Sequence, residues 1–323
     1  MRFVVYGAGA VGGVIAGRLS GAGHEVVVIA RGAHGAAIAA DGLRVLAPDG
    51  EATHRLPVAG HPGELEFTAD DVVLLAVKTQ DSAAALRDLA LAAGPGTPVV
   101  CAQNGVANED LALRHFRRVY GMRVMLPALH VEPGVVQAHS APLAGTLDLG
   151  CYPSGTDAVA EAVAAALRTA TFGAEARAEI MRWKYGKLLQ NLSTAVEALC
   201  GIEGRSNEVA RLVRAEGDAC LAAAGIKPLF DAPADPSDPA RPVRDLPVGG
   251  IPRPGGSAYQ SLLRGVGSIE TDYINGEITR LGRLHGVPTP VNEAVHRLAN
   301  RFAAEHRPPG TATAAEILAE ARA

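Results

Sequence analysis

Three glycines stand close together near the N-terminus, Gly7, Gly9 and Gly12 of "GAGAVG", and their spacing suits one kind of chemistry. In the pattern G-x-G-x-x-G the first glycine permits a tight turn. The second lets backbone amides approach a pyrophosphate with no Cβ in the way, and the third lets a helix pack against a strand. The backbone of Gly7, Ala8, Gly9, Ala10, Val11 and Gly12 is therefore a candidate cradle for a dinucleotide. Its phosphates would sit at a helix N-terminus, where amides and dipole favour negative charge. Arg31 closes the next apolar run. NAD sites usually place Asp or Glu there to accept from the ribose 2′-hydroxyl, whereas a 2′-phosphate calls for a cation. A guanidinium can fork onto that phosphate or stack on adenine, and no carboxylate follows until Asp41. NADP(H) is the expected cofactor.

Further polar groups fall where a ligand would meet the edge of a sheet. Lys78 follows "LLAV", and Gln103 with Asn104 follows "VVCA". Lys184, Lys187 and Asn191 share one helical stretch, with Lys187 and Asn191 four apart on one face. Glu270 opens another helical stretch. Each has a structural alternative. Asn104 before Gly105 can simply form a turn, Glu270 can answer a helix dipole, and Lys184 reads as a solvated lysine.

The elements that must position these groups follow from periodicity. Phe3 to Tyr6 reads as a buried strand, Val11 to Ser20 as a helix and Glu25 to Ala30 as a second strand, the βαβ setting the glycine motif needs. A short helix is expected around Ala33 to Ala40, then two alternating strands around an Asp-Gly turn. "DDVVLLAVKTQ" and "GTPVVCAQNGV" read as further parallel strands whose polar residues fall at the carboxyl ends, the ligand-binding edge of an open sheet. The stretch "RVMLPALHVEPGVVQAHSAPLAGTLDLG" suggests an antiparallel extension of that sheet. Beyond it helical patterns dominate, at Arg177 to Glu203, Asn207 to Ala224, Tyr259 to His285 and Val291 to His306. The expected fold is thus an α/β Rossmann domain over residues 1–174 and an all-α domain over residues 175–323. Within the latter, the proline-dense stretch 227–256 cannot be a regular helix or strand interior and reads as a mobile cover.

Composition bounds the possibilities. At 323 residues the chain is long enough for two cores, and 48% hydrophobic with 20% charged residues is ordinary for a globular protein. A formal net charge of −4 gives no electrostatic case for nucleic acid or an anionic membrane, which leaves small molecules, or a second copy in a homodimer, as expected partners. Cys101, Cys151, Cys200 and Cys220 are widely spaced, with neither C-x-x-C pairs nor a His cluster, so no metal site is expected and each reads as a small buried apolar residue. No apolar run approaches a membrane span and the motif begins at Gly7, which points to a cytoplasmic protein.

The combination "GAGAVG", "AVKTQ", "AQNGV", "WKYGKLLQN" and "SIETDYINGEITRLGRLHGVPTPVN" resembles the ketopantoate reductase family, the NADPH-dependent 2-dehydropantoate 2-reductases, in order and across nearly the whole chain. The resemblance implies a Rossmann domain, a helical domain and reduction of a 2-oxo acid, 2-dehydropantoate to (R)-pantoate, in pantothenate biosynthesis. It implies that Lys187 donates a proton to the ketone oxygen as hydride arrives, since an ammonium polarises the carbonyl and neutralises the developing alkoxide. Glu270 then corresponds to the acidic partner that hydrogen-bonds the substrate hydroxyl and orients the lysine. Asn104 lies near nicotinamide and substrate, Lys78 near the cofactor, and Asn191 and Ser257 on the substrate. The chain also departs from the family. Ala195 stands where members that make pantoate often have a second asparagine, and "GSAYQSL" replaces Ser-Ser-Met-Leu-Gln-Asp, so that Ser257 stands in while Ala258 cannot donate a hydrogen bond. These departures leave two other readings: the same reductase fold acting on a different 2-oxo acid or ketone, and a non-catalytic NADP-binding sensor.

Overall fold

Short valine-rich runs bounded by glycine or polar residues form the central strands, as β-branched side chains favour. The computed structural model describes residues 1–231 and 243–323, which divide into two compact units. One comprises residues 1–103, 107–181 and 231–253, the other residues 104–106, 182–230 and 254–323.

In the first unit, β1 (Arg2–Tyr6), α1 (Ala10–Gly21), β2 (Glu25–Ile29) and α2 (Gly32–Asp41) form the opening βαβα run, followed by β3 (Leu43–Ala47), β4 (Gly50–His54) and the short β5 (Val58–Ala59). Then come β6 (Asp71–Leu75), α3 (Ser82–Ala92), β7 (Val99–Cys101), α4 (Asn108–Leu113), β8 (Val119–Met125), β9 (Ala128–Glu132), β10 (Val135–Ala138), β11 (Gly145–Cys151), α5 (Ala158–Thr169) and β12 (Phe172–Gly173). The main sheet has the order β12-β11-β8-β7-β6-β1-β2-β5. All its pairings are parallel except β8 with β11.

The expected antiparallel extension of this sheet is only half realised. β11 joins the main sheet, but β9 and β10 form a hairpin in a second sheet of order β4-β3-β10-β9. Pro127 and Pro142, which cannot donate to a ladder, interrupt the chain where it passes between the two sheets.

The central strands are buried on both sides, and alternate residues serve alternate faces. Phe3 and Val5 pack with Val14, Ile15 and Leu19 of α1, Val163 of α5, and Val45 and Val136 of the second sheet. Val4 and Tyr6 face Leu86 and Leu89 of α3 together with Phe116. Within this unit a buried carboxylate acts as a charge hub: Asp148, 4% exposed, accepts from Arg123 and Arg177 at 2.8 Å each and from the Glu175 amide at 3.1 Å. Arg123, 6% exposed, also reaches Asp231 at 2.7 Å. Removing the hub takes from the buried Arg123 its buried carboxylate partner and leaves it the exposed Asp231, so Asp148→Ala is expected to destabilise the unit by about 3 kcal/mol. Urea unfolding measures this, and a midpoint within error of wild type would contradict it.

The second unit has no strand among its described residues. Its helices are α6 (Ile180–Cys200), α7 (Glu208–Ala223), α8 (Ser257–Leu263), α9 (Asn275–His285), α10 (Pro290–Ala304) and α11 (Ala314–Glu320). The single helix expected over Tyr259 to His285 is two helices. Gly265 (φ +58°) and Gly267 (φ +72°) take left-handed backbone after α8, and the chain then makes a 3₁₀ turn over Glu270–Tyr273 before α9. α6 ends earlier than expected because Gly201 leaves the helix at φ +87°. Left-handed Gly286 caps α9, and Pro290 occupies the first turn of α10, as "GVPTP" foretold.

The centre of the proline-dense stretch, 232–242, lies outside the described residues, and with it the expected mobile cover. Its flanks are pinned instead. The Leu229 amide donates to the Arg182 carbonyl at 3.0 Å, the Leu246 amide to His139 at 2.7 Å and the Arg244 amide to the Ser140 hydroxyl at 3.0 Å. The last two bonds place residues 243–253 with the first unit rather than the helical one. Cys101 and Cys220 are buried, but Cys151 and Cys200 are only half-buried. Among the described residues no helix is long and apolar enough to cross a membrane.

Candidate active site and dinucleotide cradle

In the first unit the strand order reverses at β1, and the groups at the carboxyl ends of β2, β1 and β6 are those singled out from sequence. Beyond β1 the chain turns at Gly7, with φ +101°, into α1. A Cβ at Gly12 would collide with the Gly7 carbonyl and lie 2.9 Å from that of Ala76, so α1 can approach β1 and β6 only through glycine. Gly9 is the N-cap of α1 and makes no side-chain cap bond. A Cβ there would meet nothing within 4 Å. The cradle thus leaves open the one position where a side chain would intrude on a pyrophosphate, and its first-turn amides have no intrahelical acceptors. These residues fit a dinucleotide. Arg31 follows β2 as the N-cap of α2 and is exposed, and Lys78 follows β6 as the N-cap of a 3₁₀ turn. Gln103, buried after β7, donates to the Val77 carbonyl at 2.9 Å and to Ser82 at 2.8 Å, which ties it to the turn carrying Lys78.

In the second unit four of the sequence-selected residues line one pocket: Asn104, Asn191, Ser257 and Glu270. α6 presents Asn191, Thr194 and Ala195 to it, three and four residues apart on one helical face, and α8 presents Ser257, Ala258 and Ser261 in the same way. α8 is held at its start by Glu197, 1% exposed, which accepts from the Gly256 amide at 3.1 Å and from Arg205 at 2.8 Å. The turn bearing Glu270 and Thr271 is fixed from behind by Asn275, fully buried, whose amide donates to the Leu192 carbonyl at 3.2 Å and to Asn292 at 3.0 Å. Asn104 enters through left-handed Gly105 (φ +79°), where a Cβ would stand 3.0 Å from the Tyr273 carbonyl. The turn anticipated for Asn104-Gly105 therefore exists and also delivers a pocket residue. The Asn104 Oδ1 is buried without a hydrogen-bond partner, an acceptor aimed at a donor the protein does not supply.

Lys187 does not line this pocket. It lies half-buried on α6, one turn before Asn191. Lys184, expected to be solvated, is instead 2% exposed. Thr194, Ser261 and Thr271 line the pocket and escaped the sequence reading. The four-residue spacing of Ser261 from Ser257 was a usable sign once α8 was known to be a helix. Among the described residues no group of side chains is arranged to hold a metal.

Comparison with known proteins places this arrangement. The family model described as ketopantoate reductase PanE/ApbA matches residues 3–154, and that for its C-terminal domain matches residues 178–303. A 2-dehydropantoate 2-reductase of Mesorhizobium japonicum is 30% identical, the match covering 94% of this chain and 98% of that protein. A ketopantoate reductase structure from Ralstonia eutropha JMP134 superposes with a TM-score of 0.77 at 27% identity, covering 95% of this chain and all of the other. The structure of D-mandelate dehydrogenase with NADH and anilino(oxo)acetate superposes at 0.79, with 23% identity over 95% of this chain and 99% of the other, a likeness of fold. Both halves of the sequence are matched, the glycine cradle in one and the pocket segments in the other, and the chain belongs to the ketopantoate reductase family of oxidoreductases.

Proposed function

We propose that the protein reduces a small 2-oxo acid to the 2-hydroxy acid with NADPH, and that 2-dehydropantoate is the substrate. The observation that carries this reading is the convergence of Asn104, Asn191, Ser257 and Glu270 on one pocket, with the Asn104 oxygen lacking a partner. The bound nicotinamide supplies the hydride. Asn191 and Ser257 hold the polar end of the substrate, and Glu270 hydrogen-bonds a substrate hydroxyl. Lys187 donates the proton that turns the nascent alkoxide into an alcohol. A second reading keeps fold and chemistry but changes the substrate. Ala195 and Ala258 line the pocket, where polar residues would narrow the choice to a pantoate precursor, and D-mandelate dehydrogenase shares the fold. Following NADPH oxidation against a panel of 2-oxo acids tests both. Turnover of 2-dehydropantoate well above the rest supports the first, preference for an aromatic 2-oxo acid the second, and no oxidation with any of them removes both.

The choice of NADPH rests on Arg31, exposed at the end of β2 with no carboxylate near it in sequence. Arg31→Ala should weaken NADPH binding by about 1.5–3 kcal/mol, the range for hydrogen bonds to charged groups, and leave NADH nearly untouched. Equal losses for the two cofactors, read by titration, would exclude a 2′-phosphate role for Arg31.

A further inference from the structure

His34, on the first turn of α2, reaches back to the glycine turn. Its Nε2 lies 2.7 Å from the Ala8 carbonyl oxygen, and its Nδ1 lies 3.0 Å from the Gly134 amide nitrogen and 3.0 Å from Nε2 of His130. A backbone N–H can only donate, so Nδ1 of His34 is an acceptor. The ring proton is therefore on Nε2 and is donated to Ala8. The far side of the ring is held as firmly. Gly134 sits at the tip of the β9–β10 hairpin, its carbonyl accepts from the Arg44 amide at 2.8 Å, and the His130 ring packs edge-on against His34 at 4.5 Å between centroids.

Ala8 is joined to Gly9 by a planar trans peptide, in which the carbonyl and the following N–H point in opposite directions. Holding the Ala8 oxygen toward His34 therefore turns the Gly9 N–H to the side away from His34, and Gly9 is the N-cap of α1, where an added Cβ would meet nothing within 4 Å. We propose that His34 is a positioning residue of the cofactor site: through its hydrogen bond to Ala8 it sets the orientation of the Ala8–Gly9 peptide and so presents the Gly9 amide to the dinucleotide pyrophosphate. The proposal rests on the reading of the glycine turn as a dinucleotide cradle.

The test is equilibrium titration of wild type and of His34→Ala, His34→Gln and His34→Asn with NADPH, with NADH and with adenosine 2′-monophosphate, which has no pyrophosphate. Melting temperatures are measured alongside. His34→Ala is expected to bind the dinucleotides about 10-fold more weakly and the mononucleotide as wild type does. Glutamine keeps a terminal N–H for Ala8 and should recover most of the loss. Asparagine is one carbon shorter: its oxygen can still accept from Gly134, but its NH2 falls short of Ala8, and it should not. A purely structural role would weaken the mononucleotide equally, or be rescued by asparagine as well as by glutamine, and either result overturns the proposal. So does an alanine variant that binds NADPH as tightly as wild type. A wild type that binds neither dinucleotide removes the cradle itself.

Discussion

Replacing Lys187 by alanine is expected to lower turnover by about 10²- to 10⁴-fold, the usual span for a positioned general acid. Reduction of a ketone creates an alkoxide that must be protonated, and Lys187 stands one turn before Asn191 on the helix that floors the pocket. Its half-buried position leaves an ammonium partly desolvated, where its charge acts more strongly on a developing oxyanion. The dinucleotide phosphates lie, in this reading, on the glycine turn of the other unit, so NADPH affinity should change little. Lys187→Arg should rescue poorly, because a guanidinium keeps the charge but does not release its proton near neutral pH. Single-turnover hydride transfer in wild type and both variants decides the matter. Reduction by Lys187→Ala at near wild-type rate would pass the role to another donor, Lys184 first among them.

The second large effect concerns Gly12. Its added Cβ would strike the Gly7 carbonyl oxygen, a backbone atom that no rotamer change can move. Gly12→Ala should therefore open the β1–α1 turn, costing about 3 kcal/mol, the upper end for overpacking, together with at least 10-fold in dinucleotide affinity. Gly9→Ala separates the two consequences. With nothing within 4 Å of the new methyl group, the melting temperature should hold while NADPH affinity falls. If Gly12→Ala melts and binds like wild type, the turn is looser than its contacts imply. If Gly9→Ala binds NADPH unchanged, the pyrophosphate does not lie over Gly9.

The glycine turn was legible because everything it needs is local: a strand, a tight reversal and a helix that must come close. The same holds for the end of α9 at Gly286 and the start of α10 at Pro290, where single residues dictate backbone angles. What stayed hidden depends on distant chain. β9 and β10 read as an extension of the main sheet because nothing in their alternation records that β3, some ninety residues earlier, pairs with β10. Lys184 reads as solvated because a lysine on a helix says nothing of what packs over it. In "LLRGVGSIE" the helical period carries across Gly265 and Gly267, and only their left-handed angles show the break. The gathering of Asn104, Asn191, Ser257 and Glu270 was expected through family resemblance, since no spacing rule joins four segments so far apart. His34 gave no sign at all, being an ordinary helix residue until its ring is seen on Ala8.

The strand order has a consequence for how the chain comes to be folded. β1 precedes every other described strand, yet it occupies the middle of the main sheet, between β2 and β6. Its second edge must wait for Asp71–Leu75, and the ion pair of Arg2 with Asp71, 2.6 Å apart, forms only when that pairing closes. At about 5–20 residues synthesised per second, β1 and β2 spend seconds as a two-stranded valine-rich ribbon with an unpaired parallel edge. Such non-local parallel pairing is slow, and the exposed edge is a template for the same strand of a neighbouring nascent chain. High expression at elevated temperature should therefore favour inclusion bodies over loss of the finished fold, and slower synthesis should raise the soluble yield.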